Sequence, residues 1–225
     1  MRGAGPSRSP AEGSLRITEI FFSLQGEART VGRPTTFVRL TGCPLRCGYC
    51  DTAYAFTGGT TMSLEAIRAE VHAHPTRFVT ITGGEPLAQP NVHPLMTALC
   101  DDGFAVSLET SGALDVAAVD ARVSKVMDFK TPGSGEVGRN RFENVARLNP
   151  EDQVKFVICD RADYEWAKAR CAEFDLTRLV EDVLFSPAWG QVEPADLAAW
   201  ILADGLDVRL QIQLHKLLWN DEPGR

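Results

Sequence analysis

The sequence has 225 residues, of which 44% are apolar, and it carries a formal net charge of −7 with a pI near 5.2. A chain of this length and apolar content can bury one sizeable core. The negative charge opposes binding to nucleic acid or to an anionic membrane surface, and no apolar run approaches the length of a membrane span. We therefore expect neither nucleic acid nor membrane as a partner.

The N-terminal segment contains Arg, Ser, Gly and Pro but lacks the apolar stretch of a signal peptide. We predict a disordered leader over 1–14 and a single domain over 15–225. Three of the six cysteines are clustered, whereas Cys100, Cys159 and Cys171 lie within apolar or helical patterns typical of small buried side chains. Without an export signal, these thiols indicate a reducing compartment, so we expect the protein to be cytoplasmic.

Strand-like apolar runs alternate with helical patterns from residue 15 onward. The predicted strands 15–22 and 34–41 precede a cysteine-rich loop, and a helix follows that loop after the N-cap Ser63. The later predicted strands are 77–82, 104–109, 123–130, 153–159, 183–186 and 208–214. The later predicted helices are 91–100, 114–121, 142–148, 164–174 and 193–203.

Repeated β–α units of this size predict parallel strands joined by right-handed crossovers. Several strands are near-continuous apolar runs, as expected for parallel strands buried on both faces. About six such units are too few for the closed barrel of eight. We predict a single α/β domain whose parallel strands form an open partial barrel of the (β/α)6 type, with its chemistry at the carboxyl ends of the strands.

Cys43, Cys47 and Cys50 have the spacing Cys-x3-Cys-x2-Cys, and no further cysteine or histidine follows at ligand spacing. Three thiolates can hold three irons of a [4Fe–4S] cluster and leave the fourth iron open to another ligand. A structural zinc site would ordinarily have a fourth nearby ligand. The spacing therefore favours an iron–sulfur cluster over zinc.

The cysteine segment resembles that of the radical S-adenosylmethionine (SAM) enzymes, because Tyr49 completes their Cys-x3-Cys-x-aromatic-Cys pattern. The Gly-Gly-Glu-Pro motif of that superfamily follows a predicted strand at residues 83–86. Two glycines allow a backbone edge to approach a ligand closely. The resemblance implies that SAM binds the open iron and that the reduced cluster cleaves it to a 5′-deoxyadenosyl radical, which abstracts a hydrogen atom from the substrate.

A narrower resemblance extends from about Leu15 to Trp219. The segments 19–27, 37–43, 50–52, 128–135 and 213–216 are similar to the 7-carboxy-7-deazaguanine synthases. This resemblance implies conversion of 6-carboxy-5,6,7,8-tetrahydropterin to 7-carboxy-7-deazaguanine, with ring contraction and loss of ammonia, for queuosine-type nucleosides. It also implies regeneration of SAM, assistance by Mg²⁺, an electron donor such as a flavodoxin or ferredoxin, and a homodimer.

The resemblance also implies a substrate site. A guanidinium at Arg39, just before the cysteine loop, can clamp the pterin carboxylate by a two-pronged charged hydrogen bond. Polar groups near the first strand match the donors and acceptors along a pterin edge. The substrate-binding residues expected from the resemblance are Leu24, Gln25, Gly26, Glu27, Arg39, Thr82 and His215.

The metal and SAM sites follow from the same resemblance. Thr52 is the expected Mg²⁺ ligand, because Mg²⁺ takes hard oxygen ligands and keeps waters, although Asp51 is its rival by charge. The SAM contacts expected are Tyr49, Cys50, Asp51, Gly84, Glu85, Ser124, Lys125, Val126 and Ser186. One departure is Ala28, which stands where the family often has glycine; if a positive φ is needed there, the local turn must differ.

Three other functions are compatible with parts of the sequence. An activase that generates a glycyl radical on a partner protein would share the cysteine loop but would not need the Gln25–Glu27 segment or Arg39. A peptide-modifying radical SAM enzyme would usually carry further C-terminal cysteines, and none follows Cys171. A zinc-stabilised binding module would bind zinc and would not cleave SAM.

Overall fold

The computed structural model describes residues 13–220, 222 and 224, so most of the predicted leader lies outside the described residues. Nine strands are present in the described part of the chain. They are β1 (Ser14–Leu24), β2 (Pro34–Leu40), β3 (Thr60–Ser63), β4 (Phe78–Gly83), β5 (Ala105–Thr110), β6 (Ser124–Phe129), β7 (Gln153–Ile158), β8 (Asp182–Pro187) and β9 (Arg209–Leu210). They form one sheet in the order β3-β1-β2-β4-β5-β6-β7-β8-β9.

The sheet is mostly parallel and open. Strands β2 and β4 to β9 pair in parallel, and the described strands leave β3 and β9 as the two edges. This confirms the predicted open α/β partial barrel. Strand β1 lies outside the repeated β–α units. It pairs antiparallel with β2, to which a short connection returns the chain, and also antiparallel with β3.

Six α-helices are present in the described part of the chain, and all but the last, which lies over the inner face, pack on one face of the parallel strands. They are α1 (Leu64–His72), α2 (Val92–Asp101), α3 (Arg161–Glu173), α4 (Leu176–Leu179), α5 (Pro194–Asp204) and α6 (Leu214–Trp219). The Ser63 hydroxyl caps α1 by accepting a hydrogen bond from Ala66 N (3.1 Å), as predicted. The Asp160 carboxylate caps α3, so this helix begins earlier than the predicted residue 164. No helix in the described ranges is long and apolar enough to span a membrane.

The predicted helix 114–121 is wrong. Residues there form turns, because the Asn144 side chain takes up the local backbone groups. Its amide donates to Gly112 O (3.0 Å) and Leu114 O (2.7 Å), and its oxygen accepts from Val116 N (3.3 Å). The segment Phe142–Arg147 that carries this asparagine is a 3-10 helix.

Two other local predictions also need correction. The predicted last strand 208–214 shrinks to Arg209–Leu210, and Leu214 instead begins α6. The short elements β3 and α4 were not predicted, since four residues are too few to show a period.

Strand residues alternate between a helix-covered core and the inside of the partial barrel. On β4, Val79 and Ile81 are buried in the core, whereas Thr80 and Thr82 face the inside. The strands are therefore apolar on the helix-covered face but carry several polar residues on the inner face. The inward residues from β5 to β7 include Glu109, Asp128 and Lys155. This two-residue period places polar groups inside the barrel.

Candidate active site

A cleft of about 290 Å³ opens at the carboxyl ends of the parallel strands. It is lined by the cysteine loop, the turn after β4, the connection after β1 and the C-terminal segment. All three clustered cysteines line this cleft, carry free thiols and are partly exposed. The cleft therefore collects the cysteine motif and the proposed substrate segment in one place.

Neighbouring segments hold the cysteine loop through its backbone. Gly48 N donates to Ser134 O (3.0 Å), and Arg46 N donates to Glu136 Oε1 (2.5 Å). Within the loop, Cys50 N donates to Cys47 O (3.2 Å). The loop thus depends on residues 134–136 for its position.

The three thiols fit an iron–sulfur cluster. In the part of the chain that the structure describes, no three His, Cys, Asp or Glu side chains are grouped to hold a single ion. A [4Fe–4S] cluster needs no such grouping, because each thiolate binds a different iron. Burial raises the pKa of Cys43, and it raises the pKa of Cys47 to about 11 although the Lys130 ammonium opposes that shift. Iron binding would therefore release protons from these thiols.

The Gly83–Gly84 turn packs directly against the cysteine loop. A Cβ on Gly84 would lie 2.3 Å from Gly42 O and 2.6 Å from Cys43 Cβ, and Gly83 has a φ of 151°. Glu85 N donates to Gly42 O (2.9 Å) and fixes the contact. Only glycines permit this close approach of two backbones at the cluster.

Glu85 itself points away from the cleft. Its carboxylate is fully buried and accepts hydrogen bonds from Thr110 Oγ1 (3.0 Å), Ser111 N (2.8 Å) and Leu87 N (3.0 Å). The side chain ties the turn after β4 to the end of β5. Any contribution of Glu85 to a ligand in the cleft would come from its backbone.

The segment after β1 carries a charged residue fixed inside the barrel. The Glu27 carboxylate forms an ion pair with the Lys155 ammonium and accepts a hydrogen bond from Gln213 Nε2 (2.7 Å). Burial opposes the charge, but the Lys155 ammonium and these hydrogen bonds outweigh it and keep the pKa of Glu27 below its usual range. Lys155 is likewise held as a cation, since Glu27 and Asp128 raise its pKa despite burial.

Gln25 is buried beside the same segment. Its amide donates to Thr80 Oγ1 (3.0 Å), and its oxygen accepts from Glu27 N (3.2 Å). Thr82 donates to Glu109 Oε2 (2.9 Å). Burial and the nearby Glu27 charge raise the pKa of Glu109, whereas the pKa of Glu27 is lowered, so the two carboxyl groups of this cleft shift in opposite directions.

Arg39 lines the cleft and is already partly engaged. Its Nε donates to Glu19 Oε1 (2.7 Å), and its guanidinium lies over the rings of Phe21 (5.7 Å) and Tyr54 (5.8 Å). Among the described residues, its Nη atoms make no hydrogen bond. These donors are therefore available to an anionic group in the cleft.

Asp51 and Thr52 lie at the cleft mouth beneath the C-terminal segment. Asp51 Oδ2 contacts Lys216 Nζ (2.8 Å) and Gln213 Nε2 (3.3 Å), and Thr52 Oγ1 donates to Asp51 Oδ1 (2.9 Å). Burial opposes the charge of Asp51, but Lys216 holds the pKa of this carboxyl well below its usual range. The His215 ring packs on Gly26, where a Cβ would lie within 2.1 Å of Nδ1, and burial lowers the pKa of this histidine.

Most of the predicted site residues meet in this cleft. The sixteen that line it are Leu24, Gln25, Gly26, Glu27, Arg39, Cys43, Cys47, Tyr49, Cys50, Asp51, Thr52, Thr82, Gly84, Val126, Ser186 and His215. Ser124 and Lys125 do not line it, because they lie at the amino end of β6. There Lys125 Nζ pairs with Asp152 Oδ2 (2.8 Å) and Ser124 Oγ donates to Glu151 O (2.9 Å).

Sequence reasoning missed several polar residues of the cleft, namely Glu109, Asp128, Lys130, Lys155 and Gln213. Most of them are polar positions on or just after strands whose neighbours are core residues, and that alternation is the signal that could have found them. Lys130 Nζ pairs with Asp128 Oδ2 (2.9 Å). In the described structure, Asp128 Oδ1 and the Tyr49 hydroxyl are buried without a hydrogen-bond partner, so both can meet polar groups of a ligand.

The backbone conformation of Ala28 matters because the family often has glycine at this position. Ala28 adopts a φ of 61°, so the turn keeps a left-handed residue without glycine. Its methyl group packs in a buried cluster with Val126 and Leu184, and this contact offsets part of the conformational cost. A positive φ at this position therefore does not require glycine in this chain.

The open parallel sheet, the three free thiols after its first parallel strand and the glycine turn against them define a radical SAM domain. The family model described as the Radical SAM superfamily matches residues 37–128. The chain is similar to QueE from Escherichia coli, a solved structure, with a TM-score of 0.70 at 24% identity over 90% of this chain and 95% of that chain. That likeness supports the fold.

Two relatives with higher sequence identity are both named 7-carboxy-7-deazaguanine synthase. One is from Koribacter versatilis and is 47% identical over 92% of this chain and 98% of the relative. The other is from Chlorobaculum tepidum and is 44% identical over 94% of this chain and 97% of the relative. The chain belongs to the 7-carboxy-7-deazaguanine synthase family of radical SAM enzymes. Membership implies a [4Fe–4S] cluster and SAM as cofactors.

Proposed function

We propose that this chain converts 6-carboxy-5,6,7,8-tetrahydropterin to 7-carboxy-7-deazaguanine with loss of ammonia. The observation that carries the proposal is the single cleft that brings three free thiols together with the 24–27 segment and Arg39. Family membership supports the same reaction.

Residues of this chain would form the binding sites for the two cofactors. Cys43, Cys47 and Cys50 would bind the cluster, and the backbone of the Gly83–Gly84 turn would receive the polar end of SAM beside it. When bound, the cluster and SAM supply the one-electron cleavage by which a hydrogen atom is removed from the substrate. The unpartnered Asp128 Oδ1 and Tyr49 hydroxyl are suited to polar groups of SAM.

The substrate half of the cleft matches a carboxylated pterin. The Glu27 carboxylate accepts hydrogen bonds from pterin N–H groups, and it is kept charged and oriented by Lys155. The Nη donors of Arg39 receive the substrate carboxylate as a charged, two-pronged pair. Thr82 and His215 line the same cleft and add polar contacts.

We further propose Thr52 as the Mg²⁺ ligand. The rival Asp51 is already engaged by Lys216, Gln213 and Thr52 itself. One hydroxyl, waters and substrate oxygens are sufficient for Mg²⁺. Replacing Thr52→Ala should reduce the stimulation of product formation by Mg²⁺ several-fold, measured by titrating Mg²⁺ into metal-free enzyme. The matched variant Asp51→Asn should keep the stimulation, and the opposite ranking would return the role to Asp51.

The proposal also includes a cytoplasmic homodimer that receives electrons from a flavodoxin or ferredoxin. Its support is the family resemblance. Analytical ultracentrifugation tests the oligomeric state, and turnover with reduced flavodoxin in place of dithionite tests the donor.

Anaerobic reconstitution tests the main reaction. The protein is loaded with iron and sulfide and incubated with dithionite, SAM, Mg²⁺ and 6-carboxy-5,6,7,8-tetrahydropterin, and products are identified by mass spectrometry. We expect 7-carboxy-7-deazaguanine. Deoxyadenosine without this product would overturn the substrate but keep the superfamily, and a colourless protein that holds zinc would contradict both.

A further inference from the structure

The connection from β1 to β2 crosses the floor of the barrel. Leu24 and Pro34, which bound this connection, pair with each other at the amino end of β2. From there, Arg29 reaches β7 and β8, which lie four and five places along the sheet from β2. The segment thus links two parts of an open sheet that do not pair with each other.

Arg29 makes the link through both backbone and side chain. Its N–H donates to Gln153 Oε1 (2.7 Å), at the first residue of β7. Its Nε donates to Asp182 Oδ2 (2.6 Å), at the first residue of β8, and its Nη2 lies 3.2 Å from Glu181 Oε2. The side chains of Arg29 and Asp182 are 33% and 17% exposed, so solvent screens the pair only in part.

The residues just before Arg29 form the floor of the cleft. Gln25, Gly26 and Glu27 line it, whereas Arg29 does not. Gln25 is held by paired backbone hydrogen bonds, from its own N to Arg33 O (2.8 Å) and from Gly32 N to its O (2.8 Å). Between Glu27 and Arg29, Ala28 has a φ of 61° and packs against Val126 of β6 and Leu184 of β8, so the whole 27–29 segment is held against the far strands.

We propose that Arg29 is a positioning residue: it anchors the segment 24–27 to the far strands of the open barrel and thereby helps to place the pterin. This inference rests on the proposed function. Arg29 acts by pre-organising Gln25 and Glu27, so that less conformational freedom is lost when the substrate binds. The cysteine loop is held by the 134–136 loop and the Gly83–Gly84 turn, and in the described structure neither of these makes a hydrogen bond or an ion pair with Arg29.

The test is a kinetic comparison on the reconstituted holoenzyme. Arg29→Ala should raise KM for 6-carboxy-5,6,7,8-tetrahydropterin about tenfold, while iron content and pterin-independent SAM cleavage stay unchanged. Arg29→Lys keeps the charge and should recover part of the loss. The matched control is Arg209→Ala, which removes the other arginine on Asp182 (3.3 Å); among the described residues Arg209 makes no hydrogen bond or ion pair with the connection, and the KM of this variant should be unchanged.

Hydrogen exchange gives an independent readout. In Arg29→Ala, amides of residues 25–33 should exchange faster while those of the strands keep their protection. Asp182→Asn, which keeps the shape but removes the charge, should show a weaker form of the same pattern. Faster exchange throughout the domain with an unchanged KM would overturn the inference and leave Arg29 a merely structural residue.

Different experimental outcomes would overturn the proposed function and the positioning role of Arg29. If the wild-type enzyme cleaves SAM but leaves the pterin intact, the proposed function is overturned and the pterin assignment of Arg29 falls with it. If the wild-type enzyme forms 7-carboxy-7-deazaguanine and Arg29→Ala has an unchanged KM, only the role of Arg29 is overturned.

Discussion

Single residues set the charge pattern of the cleft. Glu27 and Lys155 neutralise each other inside the barrel, while Glu109 nearby has a raised pKa because of burial and the Glu27 charge. Acceptors such as the Glu27 carboxylate and donors such as the Lys155 ammonium and the Gln213 amide thus line the same cleft. The pattern suits a heterocycle that presents both donors and acceptors along its edge.

Arg39 is the residue whose substitution tests the carboxylate clamp. Arg39→Ala should raise KM for the pterin by about tenfold to a hundredfold, the equivalent of roughly 1.5–3 kcal/mol for hydrogen bonds to a charged group. SAM binding, measured by calorimetry, should change little. Glu19→Gln is the control, because it removes the ion pair with Arg39 and keeps the guanidinium. An equal loss of SAM and pterin binding in Arg39→Ala would contradict the clamp.

The charge on Glu27 predicts a pH dependence of stability. Its pKa in the folded state lies below the ordinary value of 4.5, so its ion pair stabilises the fold above that pH and is lost as the pH falls through the folded-state pKa. The free energy of unfolding, measured in urea, should therefore fall more steeply below about pH 4.5 for the wild type than for Glu27→Gln. At pH 7 the variant should be less stable by about 3 kcal/mol, since Lys155 loses its partner. Parallel pH curves for the two proteins would contradict this assignment.

At the scale of elements, the cysteine loop is held in position by neighbouring segments of the chain. Its two anchors are the Gly83–Gly84 turn after β4 and the 134–136 loop after β6. The second anchor is fixed by Asp163 in the first turn of α3, whose buried carboxylate accepts from Thr131 Oγ1 (2.9 Å) and Gly133 N (2.8 Å). A helix on the outer face thereby supports a loop on the inner one.

Asp163→Asn tests this support. The amide offers one acceptor oxygen in place of two, so at least one buried donor loses its partner, at a cost of about 1–3 kcal/mol. We expect lower stability in urea and less iron per chain after reconstitution. Asp160→Asn is the matched control, because asparagine caps a helix as well as aspartate does. Full iron loading in a destabilised Asp163→Asn would show that Asp163 supports the fold but not the loop.

At the scale of the whole molecule, the C-terminal segment closes one side of an open barrel. After β9 it returns over the cleft, where Leu214 N donates to Gly26 O (3.0 Å) and Lys216 pairs with Asp51. Gln213 bridges Glu27 and Asp51 and so joins the substrate segment to the cysteine loop. The substrate side and the cofactor side are therefore connected through Gln213, the residue before the last helix.

Truncation tests this arrangement. A chain that ends at Ile212 keeps all nine described strands and should still unfold cooperatively, because the main core lies between the sheet and the preceding helices. It should bind iron but form no 7-carboxy-7-deazaguanine. A chain that ends at Asn220 keeps α6 and is the control. Wild-type turnover by the shorter chain would show that the C-terminal segment has no part in the site.

The sequence by itself determined the features that depend on residues close along the chain. The cysteine spacing, the Gly-Gly-Glu-Pro turn, the capped start of α1 and the alternation of strands and helices are local patterns, and each has a local physical cause. The residues of the 24–27 segment and Arg39 could be named only through the family resemblance. Their chemistry is compatible with the site, but their spacing alone is also that of an ordinary polar turn.

Tertiary structure decided what depends on distant partners. The 114–121 segment does not form a helix because Asn144 satisfies its backbone, and Ser124 and Lys125 lie away from the cleft because strand register places them at the amino end of β6. The pairing of Glu27 with Lys155 and the reach of Arg29 to β8 join residues more than a hundred positions apart. The periodicity of apolar and polar residues in the sequence cannot predict such contacts, because they form only when the open sheet curves and brings its two ends around one cleft.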